Sequence, residues 1–170
     1  MRGSFDEWPT QYSHLQSPAP HMPVTLTLPD HYPYAGIAIL STFWLNIWQV
    51  SKVAHARAKA GIQYPQMYAE VAQAATSVNV MKFNCVQRAH QNTFEISPMV
   101  IVSTAIAATR YPVFAAAACS IWVVSRVMYT IGYSTGEPSK RNWYMSSTLG
   151  AAYVIALLCT ANYTAWKAIL

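Results

Sequence analysis

Six polar side chains stand out because they interrupt stretches that are otherwise apolar. Arg88, Asn92 and Glu95 are spaced i, i+4 and i+7, and Arg126, Tyr129 and Tyr133 are spaced i, i+3 and i+7. On a helix, each trio shares one face. A guanidinium presents a fork of donors to a carboxylate or phosphate, an amide or phenol adds a neutral donor, and a carboxylate accepts from an ammonium. Pairing of Arg88 with Glu95, with Arg126 snorkelling, accounts for any one of these residues alone. It does not account for the set, because several cations with a single acid leave positive charge uncompensated. The set therefore calls for a small anionic ligand.

The elements that must carry these residues are membrane helices. The 170-residue chain is 54% hydrophobic and only 10% Asp, Glu, Lys and Arg, a poor composition for a small soluble domain. No charged residue falls between Asp30 and Lys52, or between Arg141 and Lys167. Both gaps exceed the roughly 20 residues that cross a hydrocarbon core. Two further apolar stretches are interrupted: Phe83 to Thr109 holds Arg88 and Glu95, and Pro112 to Thr135 holds Arg126. The expected fold class is therefore an all-α membrane protein with a four-transmembrane-helix bundle over residues 34–170, preceded by a Pro-rich extension over residues 1–33. The first helix is expected from about Tyr34 to Lys59, ended by Gly61 and Pro65, and Pro98 should kink the second.

With four spans, the connector carrying Lys52, Arg57, Lys59 and Lys82 shares a side with the one carrying Lys140 and Arg141. The positive-inside rule puts that side in the cytosol. Successive spans run in opposite directions, so the start of the second and the end of the third lie at the same depth. The two polar faces should meet there. The net charge of +5 does not gather into a run or an aromatic-interleaved stripe, so nucleic acid is not an expected partner. Cys85, Cys119 and Cys159 have no CxxC spacing, which suits buried apolar thiols and indicates no metal site. Gly132 and Gly136 match GxxxG, but beside a Pro turn they are expected to end a helix rather than pack one.

The ligand should be small, multiply anionic and able to donate to Glu95. Glutathione satisfies this with two carboxylates and an ammonium, and a nearby cation would favour its thiolate. A nucleotide or a phospholipid head group satisfies the basic residues as well.

The segments Phe83–Glu95, Arg126–Tyr129 and Gly132–Arg141, with Gln63–Tyr68 after the first span, resemble the membrane-associated eicosanoid and glutathione metabolism (MAPEG) family. The branch they resemble most is the third type of microsomal glutathione transferase. The resemblance covers about Tyr34 to Leu170. It implies a four-helix subunit assembled as a homotrimer, with glutathione as co-substrate between adjacent subunits. By motif position it implies glutathione contacts at Arg88, Asn92, Glu95, Arg126, Tyr129 and Tyr133. It also implies a basic contact at Arg57, ending the first helix, and a backbone contact at His90. The residue stabilising the thiolate is expected at Arg141, with Lys140 as second choice, since spacing from Tyr133 falls on Lys140.

The implied reaction is transfer of glutathione to a lipophilic electrophile, or reduction of a lipid hydroperoxide, reached from membrane lipid. The implied location is the endoplasmic reticulum. Two features depart from the family pattern. Ile96 stands where a branch of the family has Tyr, and the connector from Ala69 to Lys82 is long. That connector and the extension motivate an alternative, an accessory subunit of a larger membrane complex, in the mitochondrion rather than the reticulum.

Overall fold

The computed structural model describes residues 27–170, so the extension over residues 1–33 lies mostly outside the described residues, as does any role for it. The elements in order are α1 (Tyr32–Ala60), α2 (Val71–Thr76), α3 (Val78–Ala108), α4 (Pro112–Tyr133), a 3₁₀ segment (Pro138–Met145) and α5 (Ser146–Ile169), with no strand among the described residues. Proline in the first turn starts α1 and α4, where its missing N–H costs nothing. Gly61 ends α1 in the left-handed conformation at φ 69°, its N–H donating to the Ala58 carbonyl. α3 continues unbroken through Pro98.

One boundary differs from expectation. α3 begins at Val78, five residues before the expected start at Phe83, and the connector before it is folded rather than open. α2 is closed by a capping box between Glu70 and Gln73, and Asn84 exchanges two hydrogen bonds with the Ala69 backbone at 2.8 and 3.0 Å. The length of the connector is thereby taken up by one short helix and an extra turn of α3.

α1 packs against α3 and α4, and α5 packs against the same two. The residue distribution is inverted relative to a soluble bundle. The shared interior holds Ala35, Ala38, Ala107, Ala115, Ala118 and Cys119 around Leu45, Trp122 and Leu157, with Thr42, Gln49, Thr93, Thr104 and Thr130 fully buried beside them. The outer faces carry Ile37, Leu40, Trp44, Phe94, Val102, Val124, Ile155 and Trp166. Small and hydroxylic residues inside with large apolar residues outside is the arrangement of helices that pack in lipid. α4 and the run Pro138–Ile169 are long and apolar enough to cross a membrane. α1 and α3, at 29 and 31 residues, are also long enough but more polar.

Close approach depends on glycine at two places. A Cβ on Gly150 of α5 would stand 2.7 Å from Ser125 Oγ of α4, so this glycine lets the two helices touch. A Cβ on Gly132 would collide with the Lys140 carbonyl oxygen and lie 2.9 Å from Trp143 Cβ. Gly132 is thus a packing residue, holding the 3₁₀ segment against the end of α4, which corrects the expectation that it only ends the helix. Gly136 does take a turn conformation, at φ 88°. The thiols also divide: Cys85 and Cys119 are buried, whereas Cys159 is exposed on α5, contrary to the expectation of three buried thiols.

Candidate functional site

The end of α1, the start of α3, the end of α4 and the 3₁₀ segment gather at one end of the bundle. The two polar faces meet there across the α3–α4 contact. Arg126 is almost fully buried; its Nε donates to Thr93 Oγ1 at 3.0 Å and its Nη2 to Asn92 Oδ1 at 2.9 Å. Its guanidinium lies 3.9 Å from the Tyr129 ring centroid, and Tyr129 meets Tyr133 edge to face at 5.6 Å. Arg88 and Glu95 pair at 3.1 Å with both side chains nearly half exposed. An exposed pair of this kind is held weakly, so it remains open to exchange for a ligand.

Arg88, Asn92, Arg126, Tyr129 and Tyr133 line a cavity of about 450 Å³ between α3, α4 and α5, together with Arg141, whereas Glu95 is held beside it only through its pair with Arg88. Its other lining includes Ile96, Met99, Trp122, Val154 and Ile155. The cavity therefore has a cationic, hydroxyl-bearing part and an apolar part, and Ile96 supplies no hydroxyl to it. Among the described residues neither Arg126 nor Arg141 has an acidic partner.

Arg141 is placed by a turn with backbone strain. Tyr144 and Met145 both adopt positive φ, 49° and 56°, a conformation costly for residues with side chains. The turn is tied by Asn142 Oδ1, which accepts from the Ser147 N–H at 3.1 Å, and by the Arg141 carbonyl, which accepts from the Ser146 and Ser147 hydroxyls, each at 3.2 Å. Lys140 points elsewhere. Its ammonium pairs with Glu137 at 2.8 Å, and it lines a small separate cavity with Gly132 and Trp143.

Arg57 and His90 are not brought to the main cavity. His90 lies two residues beyond Arg88, roughly 200° around α3. It shares with Arg57 and Tyr64 a second cavity of about 240 Å³. Arg57 itself is committed to the connector: it donates to the Gln66 carbonyl at 2.6 Å and lies between the rings of Tyr64 and Phe83, at 4.4 and 4.6 Å. In the same connector the Tyr68 hydroxyl donates to Gln91 Oε1. Burial pushes the Tyr68 phenol above its ordinary range, with Arg88 opposing, so it stays a donor at neutral pH.

Three further residues belong to the site and carry no motif signal. Thr93 Oγ1 accepts from both Arg126 Nε and Gln49 Nε2, the latter at 3.0 Å, and Gln49 Nε2 also reaches Thr130 Oγ1 at 2.7 Å. Gln49 is fully buried, and its carbonyl oxygen has no partner. A polar brace thus runs from α1 through α3 to α4 and fixes Arg126. The only hint in the sequence is an amide, Gln49, inside a charge-free span.

The sequence model described as the MAPEG family matches residues 34–161. The match includes α1 from Tyr34 onward, α2 to α4, the whole of the 3₁₀ segment and the first two thirds of α5.

Proposed function

The chain belongs to the MAPEG family, and on that footing we propose that it is a membrane glutathione transferase of the third microsomal type, with glutathione peroxidase activity as a second use of the same thiolate. The observation that carries this reading is the cavity of about 450 Å³ lined by Arg88, Asn92, Arg126, Tyr129, Tyr133 and Arg141, in which two arginines lack an acid among the described residues. That donor set fits glutathione: arginine forks suit its carboxylates and the remaining cation suits a thiolate, while Glu95, paired with Arg88 and outside the cavity lining, suits its ammonium.

Arg126 is fixed by Asn92 and Thr93, so it contributes to binding and orientation without moving. Arg141 stabilises the negative charge on sulfur, the role for which it fits better than Lys140, whose ammonium is taken by Glu137. The thiol gives its proton to water, and the thiolate sulfur then forms a bond to an electrophilic carbon whose leaving group departs with the electron pair. With a lipid hydroperoxide, sulfur instead attacks the terminal peroxide oxygen, releasing an alcohol; a second glutathione then yields the disulfide and water. The apolar lining from Met99, Trp122 and Ile155 suits an acceptor delivered from membrane lipid.

The separate placement of Arg57 and His90 supports a trimer with four transmembrane helices per chain, in which this smaller cavity of one subunit faces the larger cavity of the next. The endoplasmic reticulum is the proposed membrane. The accessory-subunit alternative draws less support from the long connector, since that connector is folded onto α3. The test is conjugation of glutathione to 1-chloro-2,4-dinitrobenzene by the purified full chain in detergent. A rate above the uncatalysed reaction is expected; no rate above it, with a trimer present, would contradict the proposal.

A further inference from the structure

A second basic cavity lies away from the glutathione cavity. It measures about 370 Å³ between the end of α1 and the start of α3, and Lys52, His55, Lys59 and Lys82 line it with Asn79 and Trp48. Lys52, His55 and Lys59 are spaced i, i+3 and i+7 and so share a face of α1, while Lys82 comes from α3. No acid lines the cavity, and none of the three lysines has an acidic partner among the described residues. Three ammonium groups around one hollow repel each other unless an anion lies between them.

What leads away from the hollow identifies the anion's source. Leu40, Trp44, Trp48 and Lys52 follow at steps of four along one ridge of α1, with Leu40 and Trp44 exposed at 56% and 71%. The Lys52 ammonium lies 5.0 Å from the Trp48 ring. From Leu40 to Lys52 the ridge covers about 18 Å at 1.5 Å per residue, close to the depth of one leaflet of a hydrocarbon core about 30 Å thick. The arrangement is an apolar track with cations at its end, at the level where head groups lie.

We propose that this cavity binds the phosphate of an anionic phospholipid whose acyl chain lies along the Leu40–Trp48 ridge. The inference rests on the membrane-spanning orientation of α1 and not on glutathione binding. A phosphodiester with one or two acyl chains satisfies both the lysines and the ridge, whereas free phosphate satisfies the lysines alone.

The experiment is native mass spectrometry of the full-length protein purified with an equimolar mixture of phosphatidylglycerol and phosphatidylcholine. The parent should retain phosphatidylglycerol at least about tenfold over phosphatidylcholine, since each lysine near an anionic surface is worth roughly a fivefold preference. The triple variant Lys52→Gln, Lys59→Gln, Lys82→Gln should lose that preference, and the corresponding triple Lys→Arg variant should keep it. If the triple Gln variant does not accumulate, each single Gln variant should lower the preference about fivefold. Equal retention of the two lipids by the parent, or an unchanged preference in the Gln variants, overturns the proposal. Complete displacement of phosphatidylglycerol by inorganic phosphate also overturns it, in favour of a soluble anion. Glutathione binding measured in parallel should be the same in parent and variants, so the outcome does not depend on the proposed enzymatic function.

Discussion

Thr93 Oγ1 lies 3.0 Å from Arg126 Nε, and this bond fixes the buried guanidinium at the centre of the candidate site. The same oxygen accepts from Gln49, so one hydroxyl orients residues from two other helices. Replacing Thr93 by Val keeps the shape and removes the acceptor. A buried donor left without a partner costs about 1–3 kcal/mol, so Thr93→Val should lower the melting temperature and weaken glutathione binding. Thr93→Ser should restore both, and a Val variant indistinguishable from the parent would show that the brace has no part in the site.

Gly132 is where the helix end and the connector share one volume. Gly132→Ala would drive a methyl group into the Lys140 carbonyl, and overpacking of this kind costs about 1–3 kcal/mol. Because the displaced segment carries Arg141, thiolate formation should fall with stability. Gly61→Ala tests the contrast: its Cβ would meet open space, but at φ 69° it should cost stability of about 1 kcal/mol without changing the thiolate. Thermal unfolding and thiolate absorbance, taken together on both variants, check this.

The helices are legible because α1 and α4 have clear stop signals, Gly61 after the first and Gly136 with Pro138 after the second, and because the polar trios recur at helical spacing. Spacing assigns a residue to a face of its own helix, but it does not say which neighbour that face meets. For that reason spacing marks Arg88 and Arg126, which line one cavity, whereas nothing in it marks Gln49, Thr93 and Thr130. Threonine is nearly neutral in hydropathy, so its acceptor role depends on the packing of α1 on α3 and α4. The choice between Lys140 and Arg141 had the same cause. They are adjacent in a 3₁₀ turn, where one residue turns the side chain through about a third of a circle. The early start of α3 was hidden because Asn79 and Lys82 make the first turn resemble a loop.

If the two cavities come from neighbouring chains, inactivating variants on opposite sides should complement each other. Co-expressed His90→Ala and Asn92→Ala chains, each impaired alone, should form mixed trimers in which about a quarter of the interfaces are intact. Conjugation activity of the mixture should exceed that of either variant by that fraction of the parent. No gain on mixing would place both residues in a single subunit's site.

The pH dependence follows from the sign of the thiol perturbation. A thiol has a reference pKa of about 8.5, and a nearby cation lowers it by roughly 1 to 3 units. In the parent the bound thiolate should therefore persist as pH falls below 8.5 and disappear only near the lowered value. In Arg141→Ala the midpoint should move back up towards 8.5, while Lys140→Ala should leave it where it is in the parent. Titration of thiolate absorbance against pH distinguishes the two residues.

The most direct measurement of the central claim is thiolate absorbance on adding glutathione to the purified parent protein and to Arg141→Ala at neutral pH. The account predicts a saturable rise in the parent that is lost in the variant. A parent that gives no glutathione-dependent rise would contradict it.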